Sequence, residues 1–347
     1  MSSSQPLLDV RGLTVEFTTE KGVLRAVDGV DFQVHPGEVL AVVGESGSGK
    51  SVTAMTLLGL TRGPNAKIAG SARFEGTDLV AGGDEELREI RGNRISMVFQ
   101  DPMTSFNPVY RVGDQIVEAI RAHRPQVSKD EARARVVELL ESVGIGDAER
   151  RVDAYPHEFS GGMRQRAMIA MALALDPDLL IADEPTTALD VTIQAQVLRL
   201  LERLNRERGL ATILITHDLG VVAEVADRVA VMYSGKVVEQ GTLDEIFYDP
   251  QHPYTWGLMG SLTRLDRPRP QRLPQIAGSP PSLLDLPDGC PFRPRCPHEF
   301  SKCSIHPDLE ARLPESRDHR DRCWLTPEEK RQKRDVKGQI GLEAPRS

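Results

Sequence analysis

A chain of 347 residues has room for about two domains at roughly 150 residues each, which excludes a disulfide-stapled miniprotein. With 43 basic and 51 acidic residues, a net charge of −8 and 39% hydrophobic content, it is neither a disordered tail nor a nucleic-acid-coating chain. The longest uninterrupted apolar run, residues 167–175, is about half of what a membrane-spanning helix requires, so the chain itself is not expected to cross a bilayer. The opening MSSSQPLLDVRG has neither the basic start nor the apolar stretch of an export signal. The expected compartment is the cytosol, which argues against disulfides.

In chain order, alternation of Leu13, Val15 and Phe17 predicts an amphipathic N-terminal strand. The run VLAVV at 39–43 predicts a buried strand and leads into Gly44-Glu45-Ser46-Gly47-Ser48-Gly49-Lys50-Ser51, followed by a helical segment at 52–58. This is a phosphate-binding loop in its required setting, with a strand before it and a helix after. Gly44, Gly47 and Gly49 let backbone N–H groups curl around the β-phosphate, Lys50 reaches the β/γ oxygens, and Ser51 can ligate Mg²⁺.

Residues 85–155 have helical spacing, especially 131–143, and read as a mostly helical block inserted between sheet strands. Within it, strand-like 95–99 runs into Gln100. Phe159-Ser-Gly-Gly-Met-Arg-Gln-Arg166 precedes a helical run at 167–175 and places Ser160, Gly161 and Gly162 at a helix start, where free N–H groups can hold a second anion. The apolar strand 179–182 ends in Asp183 and Glu184. There Asp183 would hold Mg²⁺ and Glu184 would orient or deprotonate the attacking water for in-line phosphoryl transfer. Thr187-Ala-Leu-Asp190, a helix at 192–208, a strand at 211–215 running into Thr216-His217-Asp218, and a strand at 229–232 follow. Alternating strands and helices predict an α/β fold with a parallel sheet flanked by helices.

The chain changes character near 245–265. Residues 1–249 carry 26 basic and 38 acidic groups (−12), while 250–347 carry 17 and 13 (+4) and 15 of the 24 prolines. All four cysteines lie there, as Cys290-x5-Cys296-x6-Cys303-x19-Cys323. Four thiols in 34 residues of a chain otherwise without cysteine favour a four-thiolate metal or cluster site over buried free thiols or disulfides. The spacing is not the paired CxxC of zinc ribbons or ferredoxins, so it does not name the metal. Residues 326–347 are polar and charged and are expected to be a mobile tail.

In this order, the motifs of residues 44–218 resemble the nucleotide-binding subunit of an ATP-binding cassette (ABC) transporter. The resemblance implies a P-loop cassette over 5–250, with a RecA-like core, an antiparallel β subdomain and an inserted helical subdomain at about 85–160. It implies that Gln100 senses the γ-phosphate, contacts Mg²⁺ and starts a loop (101–111) that meets the membrane subunits. His217 would hold the γ-phosphate, Asp190 would lie at the subunit junction, and Phe17 would stack on adenine. Ser160, Gly161 and Gly162 would touch ATP bound on a second cassette, so that two ATP molecules are trapped between paired cassettes. Against the family's usual LSGGQ, Phe159 and Met163 stand at the two ends; a methionine cannot make a glutamine's hydrogen bonds.

Residues 251–325, with His252-Pro253-Tyr254, resemble the C-terminal extension of cassettes serving oligopeptide and dipeptide importers, as does the FSGGMRQR variant. That likeness implies an ATPase powering import of short peptides. Its partners would be a second ATPase subunit, expected to be a paralogue, two transmembrane permease subunits and an extracytoplasmic binding protein, with the chain on the cytoplasmic face of the membrane. It also implies a [4Fe-4S] cluster at the four cysteines, with Zn²⁺ the alternative. Two other readings share the cassette: an importer for nickel, opine or another solute, and a soluble ABC ATPase acting on nucleic acid. A −12 cassette suits a polyphosphate backbone poorly, so no nucleic-acid partner is expected.

Overall fold

The computed structural model describes residues 5–101, 105–187, 190–261, 276–313, 316 and 318–335. They fall into two compact units, one built chiefly from residues 81–215, the other from 8–33, 40–80 and the chain from 216 onward.

In the first unit, Ile95–Val98, Leu179–Asp183 and Ala211–Thr216 pair in parallel, with Ile95 opposite Leu179 and Leu179 opposite Ala211. Every residue of these strands is buried, which is why they read as continuous apolar runs and not as alternations. Helix Val112–His123 buries Val112, Ile116, Val117 and Ile120, a stripe at helical spacing. Helix Lys129–Ser142 starts at a capping box in which Ser128 Oγ accepts the Glu131 N–H and the Glu131 carboxylate accepts the Ser128 N–H. These helices share one core with the inward faces of helices Gly161–Ala172 and Val191–Arg208. The helical block expected at 85–160 holds Asp84–Ile90, Val112–His123, Lys129–Ser142 and Ala148–Arg151, broken by the strand Ile95–Val98.

In the second unit, Leu8–Thr19 lies between Gly22–Val34 and Ala66–Phe74 in a four-stranded sheet that ends in Thr77–Asp78. Ala66–Phe74 runs antiparallel to both of its neighbours. Separately, Val39–Val43 runs parallel to Arg228–Tyr233, which pairs antiparallel with Lys236–Thr242. The extension continues this edge: Arg320–Asp321 is antiparallel to Lys236–Thr242, and Glu310–Ala311 to Arg320–Asp321. Its Phe292 enters the same core as Val229, Tyr233, Ile246 and Tyr254.

The expectation of a mobile tail from 326 is corrected for its first ten residues. Pro327–Asp335 is a helix, entered through a capping box of Thr326 and Glu329. A polar helix this short gains little from its own hydrogen bonds. It is anchored by Lys330, which is fully buried and donates to both carboxylate oxygens of Asp321 at 2.7 Å. Residues 336–347 lie outside the described residues. Among the described residues, no helix is long and apolar enough to cross a membrane.

Candidate nucleotide site

The loop after Val39–Val43 turns sharply because its glycines permit it. Gly44 has φ +153°, and a Cβ there would stand 2.1 Å from the Met232 carbonyl oxygen. Gly49 has φ +100° and caps the helix Lys50–Leu57; a Cβ would stand 2.5 Å from Ala26 O. Any side chain at either position would collide with backbone. Lys50 is buried, and its Nζ donates to Gly44 O at 2.8 Å and to Glu45 O at 3.0 Å. The ammonium is thus held inside the curl of the loop, beside the helix N-terminus, where an anion is favoured. Ser51 follows in the first turn of the helix and is half-buried.

Contacts from beyond residue 250, which sequence reasoning did not foresee, reach this loop. Tyr254 Oη accepts the Glu45 N–H at 2.9 Å. Arg295 forks onto the Glu45 carboxylate at 2.6 and 3.1 Å and touches Tyr233 Oη at 3.3 Å. The Arg295 side chain is 4% exposed. Burial works against its charge, but hydrogen bonds to Glu45 and then Tyr233 outweigh it and raise its pKa. Burial raises Tyr254 above the ordinary phenol value, so its hydroxyl stays protonated. The recess over the loop is lined by Leu24, Tyr233 and Ser234 together with Pro280, Pro281 and Leu283 of the extension. His252-Pro253-Tyr254 and Arg295 both stand in segments singled out from sequence, but nothing in their spacing pointed to residue 45.

In the other unit, Asp183 ends its strand and is buried. Glu184, one residue on, has φ +46° and is tied through its N–H to Ile215 O. Its Oε2 accepts Gln100 Nε2 at 2.8 Å and Thr187 Oγ1 at 2.9 Å. Two of the predicted catalytic residues, Gln100 and Glu184, are therefore in contact. Ser160 caps the helix Gly161–Ala172, its Oγ accepting the Met163 N–H at 3.3 Å. Ser160 and Gly161 are exposed, while Gly162 packs so closely on Ile193 that a Cβ would stand 2.7 Å from Ile193 Cγ2. Phe159 is a core residue and Met163 packs on the same core, so both departures from the usual signature face inward. Asp190 caps Val191–Arg208 through Ile193 N–H; Ala188 and Leu189 lie outside the described residues.

His217 is exposed at the end of its strand, and the adjoining Asp218 caps the next helix. Phe17 is half-buried on Leu8–Thr19, paired with Ala66, and is not among the residues lining the recess over the phosphate loop.

The four cysteines, free of disulfides, line one small apolar pocket with Phe292, Trp324 and Leu325. Burial pushes Cys290 up to about 11 and Cys296 and Cys323 up to about 12. Among the described residues, no group of three or more His, Cys, Asp or Glu is placed to hold a metal ion.

A strand, glycine-rich turn and helix closing on Lys50, with a carboxylate pair at the tip of a parallel strand, define a P-loop nucleotide-binding cassette. Residues 27–187 match the family described as ABC transporter, and 238–303 the one described as oligopeptide/dipeptide transporter, C-terminal region. The chain is 53% identical over 323 residues to the dipeptide transport ATP-binding protein DppD of Bacillus subtilis, covering 92% of this chain and 95% of that one. It is 51% identical over 323 residues to the oligopeptide transport ATP-binding protein OppD of Haemophilus influenzae, covering 93% and 98%. An ATP-binding cassette solved as a dimer in a post-hydrolysis state with ADP and Pi matches with a TM-score of 0.61 at 27% identity, covering 68% of this chain and 98% of that chain. This chain belongs to the ATP-binding subunits of ABC transporters, in their oligopeptide/dipeptide branch.

Proposed function

We propose that this chain hydrolyses ATP to power import of short peptides by an ABC transporter, with two ATP molecules held between it and a second cassette. The observation that carries this reading is the union in one chain of a phosphate-loop cassette with an oligopeptide-type C-terminal region, 53% identical to a dipeptide transport ATP-binding protein over nearly its full length.

The loop amides other than that of Glu45, whose N–H goes to Tyr254, cradle the phosphates together with the helix start, and Lys50 leaves the carbonyls of Gly44 and Glu45 for the β/γ oxygens. Ser51, Asp183 and Gln100 offer hydroxyl, carboxylate and amide oxygens, the hard donors that suit Mg²⁺. When bound, that ion neutralises charge on the phosphates. Glu184 orients the attacking water and takes its proton, and His217 holds the γ-phosphate. Ser160, Gly161 and Gly162 reach ATP on the second cassette, Asp190 lies at the junction and Phe17 stacks on adenine. In the loop 101–111, of which 102–104 lie outside the described residues, Val109 and Tyr110 are exposed. They form an apolar surface suited to the cytoplasmic helices of two permease subunits. The second cassette is a paralogue, cargo arrives from an extracytoplasmic binding protein, and the chain sits at the cytoplasmic face through the permeases.

For the four cysteines we propose a [4Fe-4S] cluster, with Zn²⁺ the alternative; the reading rests on the likeness to the oligopeptide-type C-terminal region and on four thiols lining one pocket. Cys290, Cys296, Cys303 and Cys323 would hold the cluster, and it would serve as a cross-link for a region with little apolar bulk. Iron and zinc analysis of anaerobically purified protein, with its visible absorbance, tests this; one zinc per chain and no chromophore would overturn it.

The transport reading is tested with the whole transporter in vesicles, measuring peptide uptake and ATP hydrolysis together. Uptake of di- and oligopeptides that stops in Glu184→Gln is the expected result. ATP hydrolysis without peptide uptake would sink the cargo and keep the cassette.

A further inference from the structure

We propose that Arg295 is a positioning residue of the nucleotide site, the counter-charge that lets an acidic residue stand inside the phosphate loop. This rests on residues 44–51 being the ATP site.

Glu45 is the second residue of a loop built to receive a polyanion, and on its own its carboxylate would repel the phosphates. Arg295 meets it with two hydrogen bonds, at 2.6 and 3.1 Å, a fork-to-carboxylate geometry that fixes direction as well as charge. The guanidinium is also bound elsewhere: it donates to Ala277 O at 3.0 Å and Ile276 O at 3.4 Å, and to Tyr233 Oη at 3.3 Å. It lies near the rings of Tyr233 and Phe292, at 5.7 and 5.9 Å from their centroids. One buried cation thus ties together the phosphate loop, the strand end at Tyr233 and the chain segment that runs on to Pro280 and Pro281 over the recess. Tyr254 completes the hold by accepting the Glu45 N–H. The loop's second residue is therefore clamped at both backbone and side chain by the C-terminal extension. The turn Arg293–Arg295 that presents the guanidinium lies between Cys290 and Cys296, with Arg293 N–H bonded to Cys290 O and Cys296 N–H to Arg293 O. The extension is by this reading part of the ATP site.

The test is a double-variant cycle on the full chain, reading the ATP dissociation constant by equilibrium titration, with circular dichroism to verify folding. Arg295→Met leaves the Glu45 charge facing the phosphates and weakens ATP binding on the order of tenfold. In a Glu45→Gln background the same change has less than about a twofold effect, because no charge remains to neutralise. Equal losses in both backgrounds, or none in either, overturn the proposal. Lys50→Ala separates the two readings. If it abolishes binding while Arg295→Met does not, this inference alone fails; if neither variant alters affinity, the ATP-site assignment fails with it.

Discussion

Gln100 donates its amide N–H to the Glu184 carboxylate over 2.8 Å, joining residues 84 positions apart. The same carboxylate oxygen accepts the Thr187 hydroxyl.

Glu184→Gln keeps the shape and loses the basic oxygen. ATP binding is expected to persist while phosphate release falls by about 10²-fold or more, the usual scale for removing a general base. Hydrolysis near the parent rate would strip Glu184 of that role.

Gly44→Ala places a methyl 2.1 Å from Met232 O at φ +153°. Backbone must move to relieve it, which is expected to cost about 3 kcal/mol or more and to distort the phosphate cradle. A melting temperature lowered by several degrees together with lost ATP binding is the expected pair of results; an unchanged melting curve would contradict the clash.

His252 is buried, and burial lowers its pKa to about 4, with Lys330 also disfavouring its proton and Glu239 opposing both. Its Nδ1 accepts the Tyr254 N–H at 3.1 Å, which needs the neutral ring. An unfolded histidine titrates near 6.5, so this group's stabilising contribution is whole above about 6.5 and is lost as pH falls toward about 4, at most about 3 kcal/mol. His319 runs the other way. Burial is the largest influence and lowers its pKa, but the hydrogen bond to Glu239 together with the charges of Glu239, Glu245 and Asp249 outweighs it and raises the value, so its contribution is present below about 6.5 and lost as pH rises through the raised value. Urea unfolding at pH 7 and pH 5 is expected to show a smaller drop for His252→Asn than for the parent.

Lys330→Met leaves Asp321 buried without its ammonium partner. Burial holds Asp321 up at about 6 even against the attraction of Lys330. Breaking one side of such a pair is expected to cost about 3–5 kcal/mol, and Lys330→Met with Asp321→Leu less than that. Denaturant midpoints of the two variants decide; equal losses would mean the helix Pro327–Asp335 is held by something else.

Paired cassettes imply that turnover depends on concentration. ATPase activity per chain is expected to rise steeply with protein or partner concentration and to vanish in a dilute monomer. A monomer running at full rate would remove the role given to Ser160 and Gly162.

What the sequence determined by itself was whatever depends on local spacing. Three glycines, a lysine and a serine between an apolar run and a helix specify a phosphate loop, because backbone amides within a few residues do the binding. The strands 39–43, 179–182 and 211–215 were legible because residues buried on both faces must be apolar throughout. The order of motifs along 44–218 then named the family. Local spacing could not show which distant side chain meets a given loop. That Tyr254 and Arg295 hold Glu45 across 209 and 250 residues, and that Lys330 turns a charged tail into a docked helix, depends on strand pairing at Glu239–Asp321 and on burial. A charged residue reads as solvent-facing until its partner is known, and only the tertiary structure supplies the partner that makes burying it tolerable.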